Sequence, residues 1–287
     1  MMVGTRAAFG NSAEATFVSF AFSRPLESMN PDQIPADDSP ADYLAPSNAT
    51  ASRIAYRRLA GKAPGVVFCP GFKSDMKGAK ATAVAAWAAR TGRACLRFDY
   101  RGHGESDGAF AEGTIGAWFA DTLAAFDALT SGPQIVVGSS MGGWMALLLA
   151  RARPARVAAV VGIAAAPDFT EDLMWDRMPP ELQAKLRHDG VIHQPSAHGQ
   201  DPYEIHLRLV EEGRNHLLLR SPLAFEGRVR LLQGMQDTDV PWQWSTKIAH
   251  ALTAADVRVT LVKDGDHRLS RPSDILLLTQ TLDELGA

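Results

Sequence analysis

From Arg53 to the end of the chain, short apolar runs rich in β-branched residues alternate with longer stretches whose apolar positions recur every three or four residues. The runs Ile54–Leu59, Gly65–Cys69, Ala94–Phe98, Gln134–Gly138, Val157–Ile163, Val229–Gln233 and Val257–Val262 read as strands from their length and β-branched content. Ala79–Arg90, Ile115–Leu129, Gly142–Arg151, Trp242–Leu252 and Asp274–Leu285 carry the longer period and read as helices. Strands that alternate with helices need crossover connections, so the pattern predicts an α/β fold with a mostly parallel sheet covered by helices on both faces.

Two intervals break this rhythm. Residues 1–50 are expected to form an extension that is partly irregular: Arg24–Ser52 is loaded with Pro, Asp, Ser and Asn, and only Ala15–Phe22 alternates well enough to suggest an edge strand. Arg6 is the only charge before Glu14, and no signal peptide or organellar presequence is legible. Residues 51–287 then form the main domain, with an insertion at about 167–226 that shows no buried strand. Two helices are expected there: Pro180–His188, opened by prolines and closed near Gly190, and Pro202–Gly213, capped by Asp201. Such an insertion predicts a small helical cap over the carboxyl ends of the strands.

Composition narrows the function classes. A net charge of −3 with no basic stripe argues against nucleic acid as a partner, and 46% hydrophobic residues suit an ordinary globular chain. No apolar run approaches the roughly 18–20 residues that span a bilayer, so no membrane span is expected. Cys69 and Cys95 both fall within predicted strands and lack disulfide or zinc spacing, which suits reduced thiols in an intracellular compartment. The cytoplasm is the expected location, or the mitochondrial matrix in a eukaryote.

The candidate chemistry lies at G-x-S-x-G, which occurs twice, around Ser106 and around Ser140. The motif makes a nucleophile only where a buried strand feeds a sharp turn into a helix, lifting the serine Oγ above the sheet. Gln134–Gly138 and the run that opens at Gly142 supply both sides for Ser140. Ser106 lies in a polar, glycine-rich turn with no helix opening after it and reads as structural.

A serine hydroxyl needs a histidine to take its proton and a carboxylate to orient that histidine, and this elbow uses the chain order Ser, acid, His. The acid candidates are Asp237 and Asp239, in the loop after Val229–Gln233. Asp239 stands next to Pro241 and the following helix, where a capping role is natural, but position alone leaves both open. His267 follows the last strand. His250 belongs in a helix, while His188, His193, His198, His206 and His216 fall in the cap with no metal-ligand companions, so no metal is expected. The backbone N–H groups of Met141 and of Phe72, the latter after Pro70-Gly71, are placed to hold an oxyanion. Met174, Trp175 and Met178, with Leu173, make the start of the cap apolar; they could hold an acyl chain or simply form the core of the cap.

Several segments carry a resemblance to one group of α/β-hydrolases, the mitochondrial palmitoyl-protein thioesterases also described as mycophenolic acid acyl-glucuronide esterases. They are Pro70-Gly71-Phe72, Arg97 through Gly104, Gly132 through Trp144, Leu231 through Met235, Val240-Pro241-Trp242 and Asp266-His267-Arg268. The likeness runs from about residue 65 to the carboxyl end, with Gln233 standing where a histidine is common in that group. It implies a triad of Ser140, Asp237 and His267, a small helical cap and no cofactor. Abundant Ala and a preference for Arg over Lys suggest a GC-rich bacterial source.

The expected function is therefore a serine hydrolase that cleaves a small-molecule ester or the thioester of an acylated protein. The same residues would also suit a peptidase, a C–C hydrolase or a cofactor-free perhydrolase, and fold alone leaves open a non-catalytic binding protein. Nothing in the pattern indicates an oligomeric state.

Overall fold

The strands form because Val, Ile, Leu and Phe fill successive positions that are buried on both faces, the pattern of a sheet sandwiched between helices. The structure, a computed structural model, describes residues 40–45, 52–194 and 203–286. In chain order the strands are β1 (Asp42–Leu44), β2 (Ile54–Leu59), β3 (Lys62–Cys69), β4 (Arg93–Phe98), β5 (Gln134–Ser139), β6 (Val157–Ile163), β7 (Val191–Gln194), β8 (Tyr203–His206), β9 (Arg228–Gly234) and β10 (Val257–Val262). The helices are α1 (Ala79–Thr91), α2 (Ile115–Leu129), α3 (Met141–Ala152), α4 (Pro180–Asp189), α5 (Leu207–Gly213), α6 (Gln243–Ala251) and α7 (Pro272–Gly286).

Eight strands form the main sheet in the order β1-β2-β4-β3-β5-β6-β9-β10. Pairing is parallel from β4 to β10, and β1 and β2 add antiparallel strands at one edge. This is the mostly parallel α/β sheet that the alternating pattern predicts.

Period-two alternation divides the central strands between two cores. Val67, Val136, Val160 and Leu231 join Trp118, Phe126 and Trp144 on one face. On the other face Val66, Ile135, Val137, Val161 and Leu232 pack with Trp87, Leu278 and Leu282. Met141 through Ala150 of α3 are all buried, and an all-apolar helix of this kind is stable only when enclosed on every side.

The insertion holds α4, α5 and a small hairpin. β7 and β8 pair antiparallel, so the reading of a helix from Pro202 is corrected: strand occupies Tyr203–His206 and the helix begins at Leu207. Ile192 and Ile205 face each other across the hairpin and enter the core of the cap, which outweighs the Pro and Asp start signal. Asp201 and Pro202 themselves lie outside the described residues, as do Ala15–Phe22 and most of Arg24–Ser52. Within that last stretch Asp42–Leu44 is strand rather than irregular, because it completes the edge of β2.

Buried charge ties the two ends of the insertion together. The fully buried Asp168 carboxylate accepts the N–H groups of Leu218 and Leu219 at 2.7 and 2.8 Å. Asp172 pairs with Arg220 and, at 2.7 Å, with Lys247 of α6. No helix of the described residues is long and apolar enough to cross a membrane.

Because α3 is enclosed on all sides, Leu148→Ala leaves a void that its neighbours cannot close. We expect a loss of about 2–5 kcal/mol, read in urea unfolding as a lower midpoint with an unchanged slope.

Candidate active site

Ser140 stands between the end of β5 and the first turn of α3, with φ 54° and ψ −118°. A non-glycine residue takes this conformation only where its surroundings enforce it. Three glycines make that possible by letting backbone approach backbone. A Cβ on Gly138 would lie 2.1 Å from Gly142 O, one on Gly142 would lie 2.0 Å from Cys69 O, and one on Gly143 would lie 2.5 Å from the Ala165 Cβ. Ser140 is also held at both ends: its N–H donates to Ile163 O at 2.9 Å, and its carbonyl accepts Gly143 N–H at 2.8 Å and Ala166 N–H at 3.0 Å.

The loops after β9 and β10 bring the other two groups to this point. His267 Nε2 lies 3.1 Å from Ser140 Oγ, and His267 Nδ1 lies 2.8 Å from Asp237 Oδ2. The two loops are stitched together by Gln236 N–H donating to Gly265 O at 2.8 Å, and Gly234 and Gly265 meet so closely that a Cβ on Gly234 would lie 2.3 Å from Gly265 O. Lys80 of α1 adds a tether by donating to Arg268 O and, at 3.2 Å, to Ser270 Oγ; burial, with Arg268 nearby, lowers its ammonium to about 8.

Asp237 rather than Asp239 faces the histidine. Asp239 has an exposed side chain, and its N–H, like that of Val240, donates to Asp237 Oδ1, at 2.9 and 2.8 Å. The buried Gln233 amide donates from Nε2 to Asp237 Oδ2 at 2.9 Å and to Val240 O at 3.0 Å, while its Oε1 accepts Ser245 Oγ–H at 3.1 Å. Four donors thus converge on one carboxylate, which suits its ionised, acceptor-only form. The role of Gln233 was not legible in the sequence, where its one signal was that it stands where the resembling group commonly has a histidine.

Asp237, Asp239 and His267 also bring ligand atoms within 4.8 Å of one another. Those atoms include the His267–Asp237 hydrogen-bonded pair, so a cation there would have to replace that bond. The donor set fits a proton relay better than a metal site.

The loop after β3 passes next to the serine: a Cβ on Gly71 would touch Ser140 Cβ at 3.4 Å. The Phe72 ring packs edge-on against Phe110, Trp118 and Phe169 at 4.9, 5.8 and 5.9 Å, making an aromatic wall. Met141 opens α3, where the first amides of a helix have no partner within it.

Other sequence expectations fall elsewhere. Ser106 is structural: its hydroxyl donates to Asp99 O at 2.7 Å and accepts Ala55 N–H at 2.8 Å. Trp175 and Met178 are buried in the cap's own cluster with Leu186, Ile192, Ile205 and Val210, and Met174 packs on that cluster. Arg187 and Arg214 stack over the Trp175 ring. Of the two readings of these residues, the structure fits the cap core.

Comparison with known proteins agrees with the fold. A family model described as serine aminopeptidase, S33, matches residues 62–203. The human mitochondrial palmitoyl-protein thioesterase ABHD10 is 42% identical over 233 residues, 81% of this chain and 76% of that protein. Its mouse counterpart is 44% identical over 233 residues, 81% and 78% of the respective lengths. The solved mouse α/β hydrolase domain-containing protein 10 superposes with a TM-score of 0.80 at 41% identity, over 86% of this chain and 98% of that one. A structure from Agrobacterium vitis S4, described as a hydrolase, gives 0.82 at 38% identity, over 86% and 99%.

The chain is a hydrolase of the α/β-hydrolase superfamily. Within it, the chain belongs to the family of the ABHD10 thioesterases.

Removing the Gln233 amide while keeping its bulk tests the acid's support. A charge-assisted hydrogen bond is worth about 1.5–3 kcal/mol, so Gln233→Leu should lower kcat roughly 10- to 100-fold with little change in KM. Steady-state kinetics on an activated ester, with circular dichroism to verify folding, checks it.

Proposed function

We propose that this hydrolase cleaves a carboxylic ester or an acyl thioester through an acyl-enzyme on Ser140. The observation that carries the reading is the unbroken hydrogen-bond chain from Asp237 through His267 to Ser140, at 2.8 and 3.1 Å, on a strained strand-to-helix turn.

In the acylation step Ser140 Oγ attacks the carbonyl carbon and its proton passes to His267 Nε2. Asp237 stabilises the imidazolium and keeps Nδ1 protonated. The carbonyl oxygen gains the negative charge and is held by the N–H groups of Phe72 and Met141. Collapse breaks the bond to the leaving alcohol or thiol, which takes the proton from His267. Water then gives a proton to His267 and attacks the acyl carbon; the second collapse frees the carboxylic acid and returns the proton to Ser140.

The relatives' name, palmitoyl-protein thioesterase, supports acylated protein as one substrate class, beside small-molecule esters. The partly exposed rings of Phe72, on the loop beside the serine, and of Phe110 and Phe169, packed on it, support an apolar acyl group, while Met174, Trp175 and Met178 belong to the core of the cap. Those relatives are mitochondrial by name, which supports a mitochondrial matrix or cytoplasmic setting. The description of the matching family model supports a second reading, an aminopeptidase on the same triad.

The test is initial rates on p-nitrophenyl esters and acyl thioesters of increasing chain length, with aminoacyl anilides alongside, for the wild type and for Ser140→Ala at equal folded concentration. We expect ester and thioester turnover that falls by about 10³-fold or more in the variant. A fluorophosphonate should add to the wild type at the Ser140 peptide and not to the variant. Equal rates in both proteins, or turnover of anilides alone, would refute the esterase reading.

A further inference from the structure

The backbone beside Ser140 is bent against the preference of its own residues. Gly71, Phe72, Lys73 and Ser74 form a tight turn, closed by Ser74 N–H donating to Gly71 O at 3.1 Å. Lys73, its third residue, has φ 55°, a left-handed conformation that glycine or asparagine normally supplies at this place. The positive φ turns the Phe72–Lys73 peptide over relative to a turn whose central residues are both right-handed. Something outside the turn has to hold it in this form.

The partner of that peptide is His103. Lys73 N–H donates to His103 Nε2 at 3.3 Å, and His103 Nδ1 faces Arg101 O at 3.3 Å. The two contacts are compatible with one tautomer only: the proton sits on Nδ1 and Nε2 is left as an acceptor. The ring is 4% exposed and is met edge-on by Tyr100, Phe110 and Trp118 at 5.4, 5.0 and 5.1 Å. Burial lowers its pKa to about 4, so the ring stays neutral and keeps that lone pair at neutral pH. Phe110 and Trp118 also pack on the Phe72 ring, so the turn is gripped through the Lys73 amide and the Phe72 side chain together.

We infer that His103 is a positioning residue for the oxyanion hole: its Nε2 holds the Lys73 amide, locking the turn in the form that sets the Phe72 N–H beside Ser140. The inference rests on the acyl-enzyme reading, in which Phe72 supplies one oxyanion donor. His103 bonds to the Lys73 amide and faces the Arg101 carbonyl, not Ser140, Asp237 or His267. It acts through the turn, so its loss should weaken binding of the transition state more than binding of the substrate.

The experiment compares His103→Leu, which keeps apolar bulk but offers no acceptor, with His103→Gln, whose side-chain carbonyl can accept the Lys73 N–H. For each we would measure kcat and KM on an activated alkyl ester, and Ki for an alkyl trifluoromethyl ketone, whose adduct with Ser140 places an oxyanion in the hole. Loss of one oxyanion donor costs about 10²–10³-fold, so misplacing it should lower kcat roughly 10- to 100-fold in His103→Leu. KM should move less than threefold, Ki should rise in step with the fall in kcat/KM, and His103→Gln should recover most of the loss. His103→Met takes the place of the Leu variant if that does not fold. A folded Leu or Met variant with kcat and Ki within twofold of wild type overturns the inference. So does a Gln variant as impaired as the Leu variant, which would mean that the ring serves packing alone. Ser140→Ala, assayed in parallel, separates the two levels: wild-type rates there would bring down the acyl-enzyme reading, whereas its loss of activity beside fully active His103 variants would bring down only the role of His103.

Discussion

The structure around the site depends on the contact between the start of α3 and the end of β3, where a Cβ at Gly142 would stand 2.0 Å from the carbonyl of Cys69. Only a glycine lets the helix begin so close to the sheet, and only that closeness lets Ser140 leave β5 with a positive φ and its hydroxyl above the strand ends. The strain at Ser140 is offset by the burial of nearly the whole of α3, whose residues from Met141 to Ala150 have no exposed face. The enclosed core and the raised serine are thus two consequences of one close approach.

Around that point the polar groups are placed by backbone more than by side chains. Ser140 is fixed by bonds to Ile163, Gly143 and Ala166, and Asp237 by the amides of Asp239 and Val240. His267 follows β10, which pairs with β9, the strand before Asp237, and the loops after the two strands are bonded to each other. Side chains then refine the aim: Gln233 and Ser245 behind the carboxylate, Lys80 below the histidine loop, and His103 behind the turn that carries Phe72. Because these supports come from α1, α6, β9 and the loop after β4, the site reports on the packing of the whole sheet.

The cap obeys a different rule. Its apolar residues Trp175, Met178, Leu186, Ile192, Ile205 and Val210 face one another, so it has a core of its own. Its two ends are tied to each other by the Asp168 bonds to Leu218 and Leu219, and the Asp172–Lys247 pair joins it to α6 of the main domain. The aromatic residues packed around Phe72 come instead from the loops after β4 and β6 and from α2.

The sequence by itself determined the parallel α/β sheet and the sharp strand-to-helix turn at Ser140 rather than at Ser106, because each is written in local periodicity or in glycines that permit a close turn. The helix Ile115–Leu129 was equally legible, since its apolar period is a local signal. Tertiary structure alone decided what depends on partners distant in the chain. Tyr203–His206 is strand rather than helix because Val191–Gln194 lies beside it, and Asp42–Leu44 is strand because β2 offers an edge. Trp175 and Met178 look the same in sequence whether they meet a substrate or one another. Gln233 and His103 find their partners in a carboxylate four residues on and an amide thirty residues back, distances along the chain that carry no periodic signal but fall within hydrogen-bond reach once the sheet is assembled.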